Sequence, residues 1–158
     1  MVGRARLVGK VLAAAVGFAL LVPAAPASAA VVPLEAALSG AEEVPGPGDP
    51  DGSGAALVNV NVKKQKVCFT LVVLGITLPA AAAHIHEGET GVAGGIVVTL
   101  AAPAEVAGSG IGVATGCVPD LAKPLLRDIK NNPDQYYVNV HTSDFPDGAV
   151  RGQLAAAA

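Results

Sequence analysis

The feature that most restricts this chain is its punctuation. From residue 45 onward, short β-prone runs are cut about every ten residues by proline, glycine, asparagine and aspartate. The segment PGPGDPDGSG at 45–54 excludes helix and central strand alike, because proline lacks a backbone donor and glycine gives up the most entropy. Behind it, AALVNVNV (55–62) alternates, with Ala56, Val58, Val60 and Val62 on one face and Leu57, Asn59 and Asn61 on the other. Period-two alternation is the mark of a strand with one buried side. KKQK is a polar turn, and VCFTLVVLGI (67–76) answers as the second arm of a hairpin. AAAHIH (81–86), GIVVTL (95–100) and GVATGCV (112–118) read as further strands, the second apolar enough to be buried on both faces. YYVNVHT (136–142) and AVRGQL (149–154) form a terminal hairpin across SDFPDG.

One stretch departs from this period. In DLAKPLLRDIKNNP, Leu121, Leu125 and Ile129 recur every four residues, which predicts a short helix over about 120–131 with Asp120 as its cap. Pro124 fits only in the first turn, and Pro133 ends the helix. The sum is an all-β protein, an antiparallel Greek-key-like sandwich or barrel with one helix.

The N-terminus follows another logic. Arg4, Arg6 and Lys10 precede the uncharged run VLAAAVGFALLV (11–22), and PAAPASAA then places Ala27 and Ala29 as an A-x-A cleavage signal. About twelve apolar residues fall short of the roughly 20 that span a bilayer. Residues 1–29 are therefore read as a signal peptide and 30–35 as a leading segment. The domain is placed at 36–154, and 155–158 as a disordered tail. A secreted, extracellular product without a membrane anchor is expected. Cleavage removes three of ten basic residues and none of thirteen acidic ones. That acidic balance argues against nucleic acid as a partner.

Outside the leader the only aromatic side chains are Phe69, Tyr136, Tyr137 and Phe145, so the core must be built from smaller aliphatic groups. A covalent staple would support it. Cys68 and Cys117 are the only cysteines, and an even count in an exported chain reads as a disulfide. A metal–thiolate pair and two free thiols are the alternatives, the first lacking a CxxC partner.

No catalytic serine elbow, phosphate loop or dinucleotide loop is present, and no acid/base pair of carboxylates stands out, which leans against an enzyme. Histidine is what remains. His84 and His86 share a strand face opposite Ala83 and Ile85. His141 takes the same outward side as Asn139, opposite Val138 and Val140. If the two strands pair, three imidazoles meet in a copper or zinc site, with Glu87, Glu89 or Asp144 as outer partners. The plainer reading has them hydrogen-bonding neighbouring loops. Arg151 also faces outward, toward an acid such as Glu43 or Asp144 or toward an anionic ligand. Glu42 and Glu43 sit beside a proline turn, suited to contacts with backbone amides or an arginine.

LSGAEEVP, AHIHEGETGVAGGIVVTL and YYVNVHTSDFPDGAVRGQL, in this order, resemble the CHRD (chordin-type) domain over residues 36–154. The resemblance implies a β-sandwich-like extracytoplasmic domain acting as a binding or interaction module, with an extracellular protein or surface ligand as its unidentified partner. It also implies weight on His84, His86, His141 and Arg151, and a Cys68–Cys117 pair like that of a bacterial subset. AHIHEG is fainter in its likeness to the His-x-His strand of copper/zinc superoxide dismutases. Three histidines cannot furnish their two-metal site; a single ion with redox activity is what that likeness would leave.

Overall fold

The computed structural model describes residues 31–158, and the signal peptide assigned to residues 1–29 lies outside the described residues. Ten strands build one antiparallel sheet. They are β1 (Val32–Ser39), β2 (Ser53–Asn61), β3 (Lys66–Leu74), β4 (Ala82–Glu87), β5 (Ile96–Leu100), β6 (Ala104–Glu105), β7 (Ile111–Val118), β8 (Tyr136–His141), β9 (Val150–Gln153) and β10 (Ala155–Ala156). The helix α1 (Lys123–Asn131) lies between β7 and β8. The spatial order is β5-β4-β8-β9-β1-β2-β3-β7-β6, and β10 also pairs with β1. The sheet curls until β5 approaches β7, giving a half-barrel.

The alternation seen in the sequence directs side chains into this curl. Ala56, Val58 and Val60 of β2 are buried while Leu57 between them is 51% exposed. Val67, Phe69, Leu71 and Val73 of β3, and Leu34, Ala36 and Leu38 of β1, complete that wall. Leu126 and Ile129 bring α1 into the same core, and the Tyr136 hydroxyl donates to Asp128 at 2.7 Å, tying helix to β8. That bond and one from Asn132 hold the Asp128 carboxyl below its ordinary range, since both favour the charged form.

Four expectations are corrected. The helix starts at Lys123, not 120: Asp120 has φ +59°, a left-handed conformation that cannot open a helix, and Ala122 takes the capping place. GIVVTL is not buried on both faces. As β5 it is the sheet's edge, and Ile96 is 55% exposed. The segment before residue 36 is not a mere leader to the domain, because Val32–Ser39 pairs along its whole length with β2. The alanine tail is not wholly free, because Ala155 and Ala156 pair with Glu35 and Leu34. β9 and β10 thus flank opposite ends of β1, Leu154 being buried where they join.

Cys68 and Cys117 face each other across β3 and β7 and form the disulfide. No helix among the described residues is long and apolar enough to cross a membrane.

Five of the six residues of β8 are buried, on both faces, and its neighbour β9 is buried on both faces too. The inner face of β8 meets the core. Its outer face is roofed by polar groups, and there the site lies.

Candidate functional site

The β4–β8 register sets Ala82 opposite His141, His84 opposite Asn139 and His86 opposite Tyr137. Directly opposed residues share a sheet face, so His84, His86, Asn139 and His141 form one polar patch behind the Ala83, Ile85, Val138 and Val140 core face. The imidazole centroids lie 5.5 Å (84–86), 5.1 Å (84–141) and 6.4 Å (86–141) apart. One ring nitrogen from each histidine lies within 4.8 Å of the other two.

For two of the three rings, hydrogen bonds decide which nitrogen is free. His86 Nδ1 lies 2.9 Å from the Gly94 carbonyl, and His141 Nδ1 lies 2.9 Å from that of Pro146. A carbonyl only accepts, so in the neutral ring the proton sits on Nδ1 and the Nε2 lone pair is left free. His86 Nε2, His141 Nε2 and His84 Nδ1 are all buried without a hydrogen-bond partner among the described residues. Burial, then repulsion from His141 and His86, lowers the His84 pKa below the usual histidine value. Burial lowers that of His86 too, outweighing the Gly94 contact that favours its charged form. Both rings are therefore neutral donors at neutral pH.

The roof is the glycine-rich loop 88–95. Arg151, 2% exposed, donates through Nη1 to the Val92 carbonyl and through Nη2 to that of Glu89, each at 2.9 Å. Its guanidinium carbon stands 3.5 Å from the centre of the Tyr137 ring, which itself stacks on His86 at 4.8 Å and 10°. Gln153 donates to the carbonyls of Gly88 and Asp134, both at 2.7 Å. The Gly94 amide donates to the Tyr137 hydroxyl at 3.1 Å. A side chain at 94 would start 1.5 Å from the Glu87 carbonyl oxygen, so only glycine fits where this loop touches His86.

The three histidines come together as the strand pattern predicts, beside the roof loop that receives the His86 ring. The expected outer carboxylates do not reach them. Asp144 accepts from Thr77 and Ser143, and Glu87 and Glu89 line a groove together with Asp128. The backbone carbonyls of Gly94 and Pro146 take that place. Nor does Arg151 hydrogen-bond Glu43 or Asp144; its donors go to main-chain carbonyls and the Gln153 side chain. Asn139, Tyr137 and Gln153 are the residues that sequence reasoning passed over. Period-two spacing from His141 was the signal that could have found the first two.

Glu43 stands close by. It is 8% exposed, packs its carboxylate on Gly148, and has Oε1 without a partner among the described residues. Burial pushes its pKa up to about 7 from an ordinary 4.5, against the opposing pull of Arg151 and the Val44 amide. The folded state thus holds a proton that the unfolded chain has released between these values. Its contribution is whole below pH 4.5 and is lost as pH rises through about 7. Glu43→Gln removes the ionisation. Urea melts should show the variant gaining up to about 3 kcal/mol on wild type at pH 8 and little at pH 4. Equal differences at the two pH values would contradict the buried-proton account.

Residues 34–154 match the family model for the CHRD domain. The chain belongs to the CHRD domain family. No curated protein and no solved structure matches it. The CHRD match runs from inside β1 to Leu154, where β9 gives way to β10, and takes in all three histidines, Asn139, Arg151 and Glu43. The CHRD unit is therefore the whole half-barrel with its roofed polar face.

Proposed function

We propose that this CHRD domain is a secreted, extracellular binding module whose roofed face holds one transition-metal ion, zinc or copper, through His84, His86 and His141. One observation carries the reading. Three buried ring nitrogens without partners among the described residues converge, while the second nitrogens of His86 and His141 are committed to backbone carbonyls. Leaving a buried acceptor unpaired costs about 1–3 kcal/mol, so three together are a poor way to anchor loops alone. Second nitrogens bonded to fixed acceptors are the usual support of metal-bound histidines. Bond lengths of about 2.0–2.1 Å call for nitrogens some 3.4 Å apart, a modest contraction from the 4.8 Å limit. Export through a cleaved leader accords with a chain stapled by a disulfide.

The test is metal titration of protein recovered from a secretion route and stripped with chelator. Wild type should take up one equivalent of Zn²⁺ or Cu²⁺, and His86→Ala should bind more than about 100-fold more weakly. Acidification should release the ion as protons compete for the imidazoles. Equally weak uptake by both proteins at micromolar metal would end the proposal and leave the histidines as loop anchors.

A further inference from the structure

We infer that Asn139 supplies the fourth donor of this centre, its side-chain oxygen completing an N₃O set that selects a divalent ion over Cu⁺. The inference rests on the three-histidine reading and adds an atom to it. Asn139 is 3% exposed, and its Oδ1 has no hydrogen-bond partner among the described residues. It lies directly opposite His84 on β4 and Arg151 on β9, and two residues from His141 along β8. Its side chain also lies near enough to the His86 ring to favour the charged form of that ring as a hydrogen-bond acceptor would, though the two make no hydrogen bond of good geometry. Of the five buried side-chain atoms without partners among the described residues, four belong to these neighbours: His84 Nδ1, His86 Nε2, His141 Nε2 and Asn139 Oδ1.

Their chemistry is complementary to one ligand. Asn139 Oδ1 and the Nε2 atoms of His86 and His141 are lone-pair donors to a cation once the protons of those two rings sit where Gly94 and Pro146 place them. His84 Nδ1 joins them in the tautomer that carries its proton on Nε2. A further hydrogen-bond acceptor would satisfy none of the first three. One tetrahedral ion satisfies all four, which is the geometry zinc adopts with nitrogen and oxygen ligands. An amide oxygen is a hard donor, so its presence favours Zn²⁺ or Cu²⁺, whereas Cu⁺ is selected by soft donors. The site adds no carboxylate charge. The Arg151 guanidinium packs on the Tyr137 ring, which in turn stacks on His86.

The test uses the exported protein with Zn²⁺ as ligand and Co²⁺ as a spectroscopic probe of the coordination sphere. Asn139→Leu removes the oxygen at similar volume and should weaken Zn²⁺ binding by about 10–100-fold while altering the Co²⁺ visible spectrum. Asn139→Asp keeps the shape, guards against a leucine variant that fails to fold, and substitutes a charged oxygen. It should bind Zn²⁺ more tightly than wild type, with added proton release on binding. Wild-type binding together with an unchanged Co²⁺ spectrum in both variants would overturn ligation by Asn139 and leave the three-histidine site standing. Failure of wild type itself to bind either ion would overturn both readings.

Discussion

Replacing Arg151 by methionine should destabilise the protein by about 3–5 kcal/mol, the largest loss expected from any single substitution on the polar face. The side chain is almost wholly buried, and its charge is met by two main-chain carbonyls, the Gln153 amide oxygen and the Tyr137 ring. Methionine retains the stem and abandons all four. The carbonyls of Glu89 and Val92 would each lose a partner at about 1–3 kcal/mol, and the desolvated cation–π contact adds up to about 2 kcal/mol. Lysine should recover only part of this. Its ammonium is a point charge, while the guanidinium spans two carbonyls in a plane and stacks at the same time. Urea unfolding gives the energy. Amide exchange gives the location, because the 88–95 loop should lose protection well before the core strands. A loss below about 1 kcal/mol, or exchange unchanged in that loop, would show that the arginine is not what holds the roof.

The roof also marks where the sequence stops being legible. The convergence of His84, His86 and His141 could be read because it depends on period-two alternation and on one strand pairing, both written in side-chain type. The same holds for β2 and β3, whose inner faces are uniformly apolar while polar residues such as Asn59, Asn61, Lys66 and Thr70 recur on their outer faces. What closes over the histidines is written differently. EGETGVAGG contributes main-chain carbonyls, and every residue type carries one, so nothing local announces that Gly94 will accept from His86 or Val92 from Arg151. The partners lie 59 and 62 residues away in the two Arg151 bonds. Asp144 looked like the natural companion for a nearby histidine because carboxylates are visible in a sequence. The carbonyl of Pro146, two residues on, has the work instead. β1 escaped for another reason. Pro33 interrupts a weakly β-prone, alanine-containing run, and only pairing with β2 on one side and β9 and β10 on the other makes it a central strand. The edge position of β5 was hidden likewise, since an apolar run of five residues reads the same at an edge as in a core.

The staple makes the second large prediction. Converting Cys68 and Cys117 together to serine should cost about 3–4 kcal/mol while leaving the native fold and the histidine site intact. The bridge joins residues 49 apart in sequence, and the chain-entropy relation assigns a loop of that length about 4 kcal/mol. Native-state losses should add little. The two cysteines sit on the outer face, alternating with the buried Val67 and Phe69, and Cys117 is exposed, so their replacement opens no cavity in the core. Nearly all of the effect therefore belongs to the unfolded chain, which a bridge keeps compact. That origin has its own signature: the urea m-value should rise in the serine variant, because its unfolded state exposes more surface. A loss without a rise in m would place the effect in the native sheet. The bridge and the roof should also be independent. β9 and β3 are three strand intervals apart, about 14 Å at about 4.8 Å each, which is beyond the range at which substitutions usually couple. The serine pair should thus weaken an Arg151→Lys protein by the same amount as wild type. A shortfall would mean that strain in the curled sheet is shared between its stapled wall and its polar one.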